Sequence, residues 1–168
     1  MSLPEPLAAD IRHAVASHAP GVGAGSDGNA DPRGAVLEAL RLVQHAEGWV
    51  SDYRVADIAA LLGMTTAEID NLATFYSHIF RRRVGKRLIM LCDGASCYLN
   101  GADALRDAVQ ARLGIGFGET TPDGEFTLLN VCCVGGCDRA PAAVTGRDRR
   151  LCGPLAPGDL DALLADAE

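Results

Sequence analysis

Two tight cysteine pairs constrain this chain more than any other feature: Cys92-Asp-Gly-Ala-Ser-Cys97 and Cys133-Val-Gly-Gly-Cys137, separated by 35 residues. Sulfurs on two short loops act together only if the intervening chain folds the loops to one place. The gaps narrow the chemistry. Zinc clips usually leave two residues between cysteines, because that knuckle points both sulfurs at one ion. Gaps of four and three residues are wider. A four-residue gap is the first spacing of plant-type 2Fe–2S ferredoxins, whose loop surrounds a larger object with amides facing the sulfides. Gly94, Gly135 and Gly136 admit close backbone approach and positive φ. The pattern therefore predicts a 2Fe–2S site with two ligands from each loop. A zinc site and a set of buried structural cysteines are the competing readings of the spacing.

At 168 residues the chain has room for one domain or two small ones. Its 22 acidic and 15 basic residues leave a net charge of −7, which argues against nucleic-acid binding. Met1-Ser-Leu-Pro-Glu-Pro6 has no basic region followed by an apolar run, and no apolar stretch approaches a membrane span. The expectation is a cytoplasmic chain without membrane insertion. In a reducing compartment six cysteines point to metal or redox chemistry in preference to disulfides.

The fold class expected is α+β: an N-terminal helical bundle followed by a thioredoxin-like α/β domain. Residues 1–30 read as an extension, with a short helix near Leu7–Ala16 and a Gly-rich connector over 20–29. The bundle spans 31–84. Asp31-Pro32 starts a helix carrying Val36, Leu37, Leu40 and Val43, which Gly48 stops. Ser51 opens a second helix, with Val55, Ile58, Ala59 and Leu62, ending at Gly63. Thr65 and Glu68 form a capping box for a third. That helix is expected to continue through Tyr76, Ile79 and Phe80 and to close on Arg81-Arg82-Arg83, cations at its negative end.

The pattern changes at Gly85, and residues 85–168 form the second domain. Arg87–Cys92 reads as a buried strand, and Asn100 as the cap of a helix with Leu105, Val109 and Leu113. Asp123-Gly124 turns into a strand over Glu125–Cys132, followed by strands near Ala142–Thr145 and Arg149–Cys152. Pro157 begins a last helix. This α/β order suits a thioredoxin-like sheet, in which both cysteine loops follow strands. Cys132 is expected to pack in the core, and Cys152 to be structural. The arginine triplet reads as a solvated helix end or as a dock for an acidic neighbour. His13, His18, His45 and His78 stand at no ligand spacing to the cysteines. No phosphate-binding glycine loop, nucleophile–base set or carboxylate pair emerges, so no catalytic residue is assigned.

Taken together, the clips, the Cys137-Asp-Arg-Ala-Pro141 continuation and Ala73-Thr-Phe-Tyr-Ser77 resemble the thioredoxin-like 2Fe–2S subunits of NADH:quinone oxidoreductase. Asp31-Pro-Arg33, Gln44–Trp49, His78-Ile-Phe-Arg81, Phe126-Thr-Leu-Leu129 and the doubled Cys132-Cys133 extend the likeness to the E-subunit family of bacterial respiratory complex I. The resemblance runs from about Asp31 to the last helix. It implies one 2Fe–2S cluster held by Cys92, Cys97, Cys133 and Cys137, exchanging single electrons with a flavin. FMN and NADH would sit on the flavin- and NADH-binding F-subunit, a partner that the bundle contacts, with the large iron–sulfur G-subunit nearby. The assembly would be a peripheral arm on the cytoplasmic side of the inner membrane. The same module serves NAD-linked formate dehydrogenases and hydrogenases; a free-standing ferredoxin and a zinc-stapled interaction module are further alternatives.

Overall fold

Left-handed glycines end the helices that the apolar periodicity predicts. The computed structural model describes residues 3–17, 32–146 and 148–165, and the chain divides into two units, Met1–Arg83 and Val84–Glu168. In the first, helix α2 (Val36–Glu47) stops at Gly48, whose φ of 85° lets its N–H turn back to the Gln44 carbonyl at 2.7 Å. Helix α3 (Asp52–Leu62) stops in the same way at Gly63, with φ 66°. The stretch before α2 is a tighter turn, Pro32–Ala35, and the expected Asp31 cap and Gly-rich connector lie outside the described residues.

Helix α1 (Glu5–Ser17) lies within the stretch expected as an extension, yet Leu7 and Ile11 enter the same core as Val36, Leu40 and Val43 of α2. Val55 and Ile58 from α3 and Ile69 from α4 (Thr66–Phe75) complete that core. Helix α4 begins with the predicted capping box: Thr65 Oγ1 accepts the Glu68 N–H, and Glu68 returns the bond to the Thr65 N–H at 3.0 Å.

The end of α4 differs from the expectation. The helix stops at Phe75, and Tyr76 is extended (φ −86°, ψ 110°). Tertiary partners compete successfully for the backbone beyond it. Gln44 donates to the His78 carbonyl at 2.9 Å and accepts the Phe80 N–H at 2.6 Å, while the Phe80 carbonyl accepts the Val50 N–H at 2.8 Å. Arg81 does not cap a helix. Its guanidinium bonds the Val50 carbonyl, Asp52 at 2.7 Å and Asp70 at 2.8 Å. Tyr76, expected to pack, is 40% exposed.

The second unit is a five-stranded mixed sheet in the order β2-β3-β1-β4-β5. Its strands are β1 (Arg87–Cys92), β2 (Glu119–Thr120), β3 (Phe126–Val131), β4 (Ala143–Thr145) and β5 (Arg150–Cys152). β1 and β3 are parallel, and such a pair requires a crossover; helix α6 (Ala102–Leu113) supplies it. Ile89, Leu91 and Leu128 meet Leu105 and Val109 of α6 and Leu163 of α7 (Leu160–Ala165) on one face. Met90, Val131 and Val144 fall on the other, as strand alternation demands. A turn at Pro157–Asp159 precedes α7; Ala156 has no oxygen to cap it, but Asp159 accepts the Ala156 N–H at 2.8 Å.

Candidate metal centre

Strand register brings the two cysteine loops together. In the β1–β3 pair Cys92 stands opposite Val131, so both strands release their chains at the same end of the sheet. Backbone bonds hold the junction: the Asp93 N–H donates to the Val131 carbonyl at 3.0 Å, and the Cys92 N–H to the Ala142 carbonyl at 3.1 Å. Gly94 allows the first loop to lie against the second, since a Cβ there would stand 2.7 Å from the Cys132 carbonyl oxygen. Next comes a helix that sequence reasoning missed, α5 (Ala95–Leu99), which carries Cys97 inward. Its signal was an unbroken Ala-Ser-Cys-Tyr-Leu run after glycine, too short for periodicity to register. Asn100 closes α5, donating to the Ser96 carbonyl at 2.7 Å; it does not cap α6, which starts from left-handed Gly101.

Cys92 and Cys97 are buried, at 5% and 1% exposure, whereas Cys133 and Cys137 are exposed. The Cys133 and Cys137 sulfurs are 3.9 Å apart. A tetrahedral ion with metal–sulfur bonds of about 2.3 Å separates its sulfurs by about 3.8 Å, so this pair already spans one ion. Among the described residues, no three His, Cys, Asp or Glu side chains are placed to hold a single ion. A two-iron centre would take two cysteine sulfurs at each iron, with inorganic sulfide completing its ligands.

The electrostatics show sulfurs that are solvated by the backbone and crowded by one another. Burial pushes the Cys92 thiol up, but the Gly94 and Val134 N–H groups and the Cys97 thiol donate to its sulfur, and the net shift is downward. Burial and the adjacent Cys92 sulfur push Cys97 up, against the Ala142 N–H that favours its thiolate. Cys137 is pushed up by the Cys133 sulfur first, against a bond from the Ser96 hydroxyl. The Gly135 N–H donates to Cys133 at 3.3 Å. Four amides and one hydroxyl thus face the sulfurs, while mutual repulsion keeps the thiolates from accumulating without compensating cations. This donor set fits an iron–sulfur centre, whose metal charge ionises the thiols outright and whose sulfurs accept such bonds. Of the amides, those of Gly94 and Gly135 are foreseeable from the loops; those of Val134 and Ala142 are not.

The remaining cysteines stand apart. Strand β3 ends at Val131, so Cys132 is exposed on the second loop and does not enter the core as expected. Cys152 sits on β5, half-buried, with its sulfur 3.5 Å from the Thr145 hydroxyl. His13 and His45 are exposed on the helical unit, and His18 lies outside the described residues.

Comparison with known proteins agrees with the geometry. The model of the thioredoxin-like [2Fe-2S] ferredoxin family matches residues 25–168. The NADH-quinone oxidoreductase E-subunit of Pseudomonas aeruginosa is 48% identical over 118 residues, 70% of this chain and 71% of the relative. The Escherichia coli K12 protein of that name is 44% identical over the same shares. Among solved structures, an NAD+-reducing [NiFe]-hydrogenase in its H2-reduced state superposes with a TM-score of 0.65 at 25% identity. That match covers 79% of this chain, which spans only 22% of the hydrogenase chain. With paired sulfurs at the end of a mixed sheet, amides turned toward them, and relatives of this closeness, the chain belongs to the thioredoxin-like [2Fe-2S] ferredoxin family.

Proposed function

We propose that this chain is the electron-transfer subunit of an NADH:quinone oxidoreductase, holding one [2Fe–2S] cluster through Cys92, Cys97, Cys133 and Cys137. The observation that carries the reading is the convergence of two cysteine loops at one sheet end, with N–H groups aimed at their sulfurs. Such a centre takes up and returns one electron at a time. The chain's own residues bind and tune it. The Cys92 and Cys97 side is buried against the sheet and excludes water, and the Cys133 and Cys137 side faces the surface. Exposed Tyr98 and Leu99 flank Cys97 and offer apolar area to a neighbour at the site's edge.

The immediate neighbour in this reading is the flavin- and NADH-binding protein of the assembly, with the large iron–sulfur protein close by. The domains assigned in this reading are an N-terminal extension, 1–30, whose helix α1 packs into the bundle's core, the helical bundle, 31–84, and the ferredoxin domain, 85–168. No helix among the described residues is long and apolar enough to cross a membrane. The place assigned to the chain in this reading is the peripheral arm, on the cytoplasmic side. The hydrogenase likeness supports the same chemistry in another assembly, but relatives at 44–48% identity favour the quinone-reducing one.

Anaerobic purification with iron, sulfide and zinc analysis tests the cluster. Iron and labile sulfide at the stoichiometry of one [2Fe–2S] centre are expected, with a paramagnetic signal after dithionite. Each of Cys92→Ser, Cys97→Ser, Cys133→Ser and Cys137→Ser should lose or alter that signal, and Cys132→Ser and Cys152→Ser should keep it. Stoichiometric zinc with no signal would overturn the reading. Recovery with a nickel or molybdenum subunit, in place of quinone-arm partners, would reassign the assembly.

A further inference from the structure

Each cysteine loop carries one aspartate beside a proposed ligand: Asp93 follows Cys92, and Asp138 follows Cys137. Their surroundings differ. Asp138 lies 3.7 Å from the Arg139 guanidinium, so its charge is offset within the loop. Among the described residues no cationic side chain pairs with Asp93, whose carboxylate accepts from the Asn130 side-chain amide at 3.3 Å. A neutral amide fixes a carboxylate in place without cancelling its charge.

Asp93 is tied to strand β3 through both backbone and side chain. Its N–H donates to the Val131 carbonyl at 3.0 Å, and Asn130, the preceding residue of β3, stands opposite Leu91. The carboxylate is thereby kept one residue from Cys92, close enough for its charge to oppose a thiolate there. The Gly94 and Val134 N–H groups act on the same sulfur in the opposite sense, since they favour negative charge. Asp93 and Asn130 are both exposed, so dissolved salt screens the carboxylate's field.

We propose that the Asp93 carboxylate, positioned by Asn130, is a fixed negative charge that lowers the reduction potential of the cluster. The proposal rests on the function given above, because it presumes a one-electron centre on the two loops. Uptake of one electron adds a unit of negative charge beside Cys92, while the donor, a reduced flavin in the assembly or dithionite in the assay, loses one. No bond is made or broken and no proton moves. A carboxylate held nearby opposes that added charge, and net charge around the sulfurs is one of the quantities that set such a potential.

The full chain, loaded anaerobically with iron and sulfide, is titrated potentiometrically at low and at raised salt, with the visible absorbance and the paramagnetic signal as readouts. Asp93→Asn should favour the reduced form about fivefold at a fixed low-salt potential, a rise of about 40 mV at about 59 mV per decade for one electron. At raised salt the difference should shrink to about twofold or less. Asp93→Glu, which keeps the charge, should stay within about twofold of wild type. Asn130→Lys leaves both cysteine loops unaltered and sets a cation beside Asp93; it should also raise the potential, and it decides the matter if Asp93→Asn takes up no cluster. Asp138→Asn/Arg139→Gln, with no change in net charge, should shift the potential less than Asp93→Asn does. A wild-type potential in Asp93→Asn or Asn130→Lys, an equal shift in Asp93→Glu or in the neutral double variant, or a shift that persists at raised salt would overturn the proposal and leave the functional reading intact. A wild-type chain that takes up no one-electron centre would overturn both.

Discussion

Replacing Gly94 by alanine tests whether the two cysteine loops must touch for the site to work. An alanine Cβ would stand 2.7 Å from the Cys132 carbonyl oxygen and 3.5 Å from the Cys92 sulfur. Real Cβ contacts essentially never fall below 3.0 Å, so the loops must part by at least 0.3 Å, and by 0.7 Å to reach ordinary contact at 3.4 Å. Neither clashing side can yield by rotating a flexible side chain. The obstructing oxygen is backbone, one residue before Cys133, and Gly94 itself donates to the Cys92 sulfur. A parting of that size is larger than the about 0.2 Å within which ligand distances of a metal site are expected to fall, so the proposed ligand geometry would be disturbed. Overpacking of this kind costs about 1–3 kcal/mol. At 1.4 kcal/mol per decade that is about five- to over a hundredfold in cluster retention. The assay is iron and sulfide content after anaerobic reconstitution, followed by loss of the visible absorbance against an iron chelator. Gly158→Ala serves as the control, since nothing lies within 4 Å of its Cβ position. A Gly94→Ala protein with wild-type cluster content and chelator resistance would refute the idea that close loop contact shapes the site.

Two further predictions concern the helical unit. Arg54 is buried, its side chain 5% exposed, between Glu47 at 2.5 Å and Asp57 at 2.9 Å, each carboxylate about a fifth exposed. Removing one partner of a buried pair costs about 3–5 kcal/mol; allowing for partial rehydration of these carboxylates, Arg54→Met should lose about 2–3 kcal/mol in urea unfolding. Glu47→Gln/Arg54→Met/Asp57→Leu should recover to within about 1 kcal/mol of wild type, and equal losses in both variants would contradict the ionic account. Glu68 has its carboxyl lowered from 4.5 to about 2, mainly by the Thr65 N–H, then by the Thr65 hydroxyl and Arg33. A depressed folded value stabilises above the unfolded one, so the stability gap between wild type and Glu68→Ala should be full above about pH 5 and shrink as pH falls toward 2. A gap that is constant across that range would mean that the charge plays no part.

Where local chemistry decides, the sequence is readable. The Thr65–Glu68 capping box, the glycine stops at 48 and 63, and the apolar run Arg87–Cys92 each depend on residues within a few positions of one another, and each takes the expected form. Where distant residues decide, it is not. Helical spacing continues through Phe80, but Gln44 and Val50 claim the backbone beyond Tyr76 and the helix ends. Cys132 reads as a strand residue until the strand ends at Val131.

For the cysteine site, the sequence by itself determined the four thiols of the proposed ligand set, their pairing into two clips and the glycines that let the backbone approach. Their meeting was settled only by tertiary structure. It follows from Cys92 standing opposite Val131 in a parallel pair, which exists because α6 crosses from one strand to the other. The amides of Val134 and Ala142 reach sulfurs in the first clip, dozens of residues away in the chain. Hydrogen bonds of that span carry no local signature. They depend on strand register, and register is set by the burial of a whole sheet face.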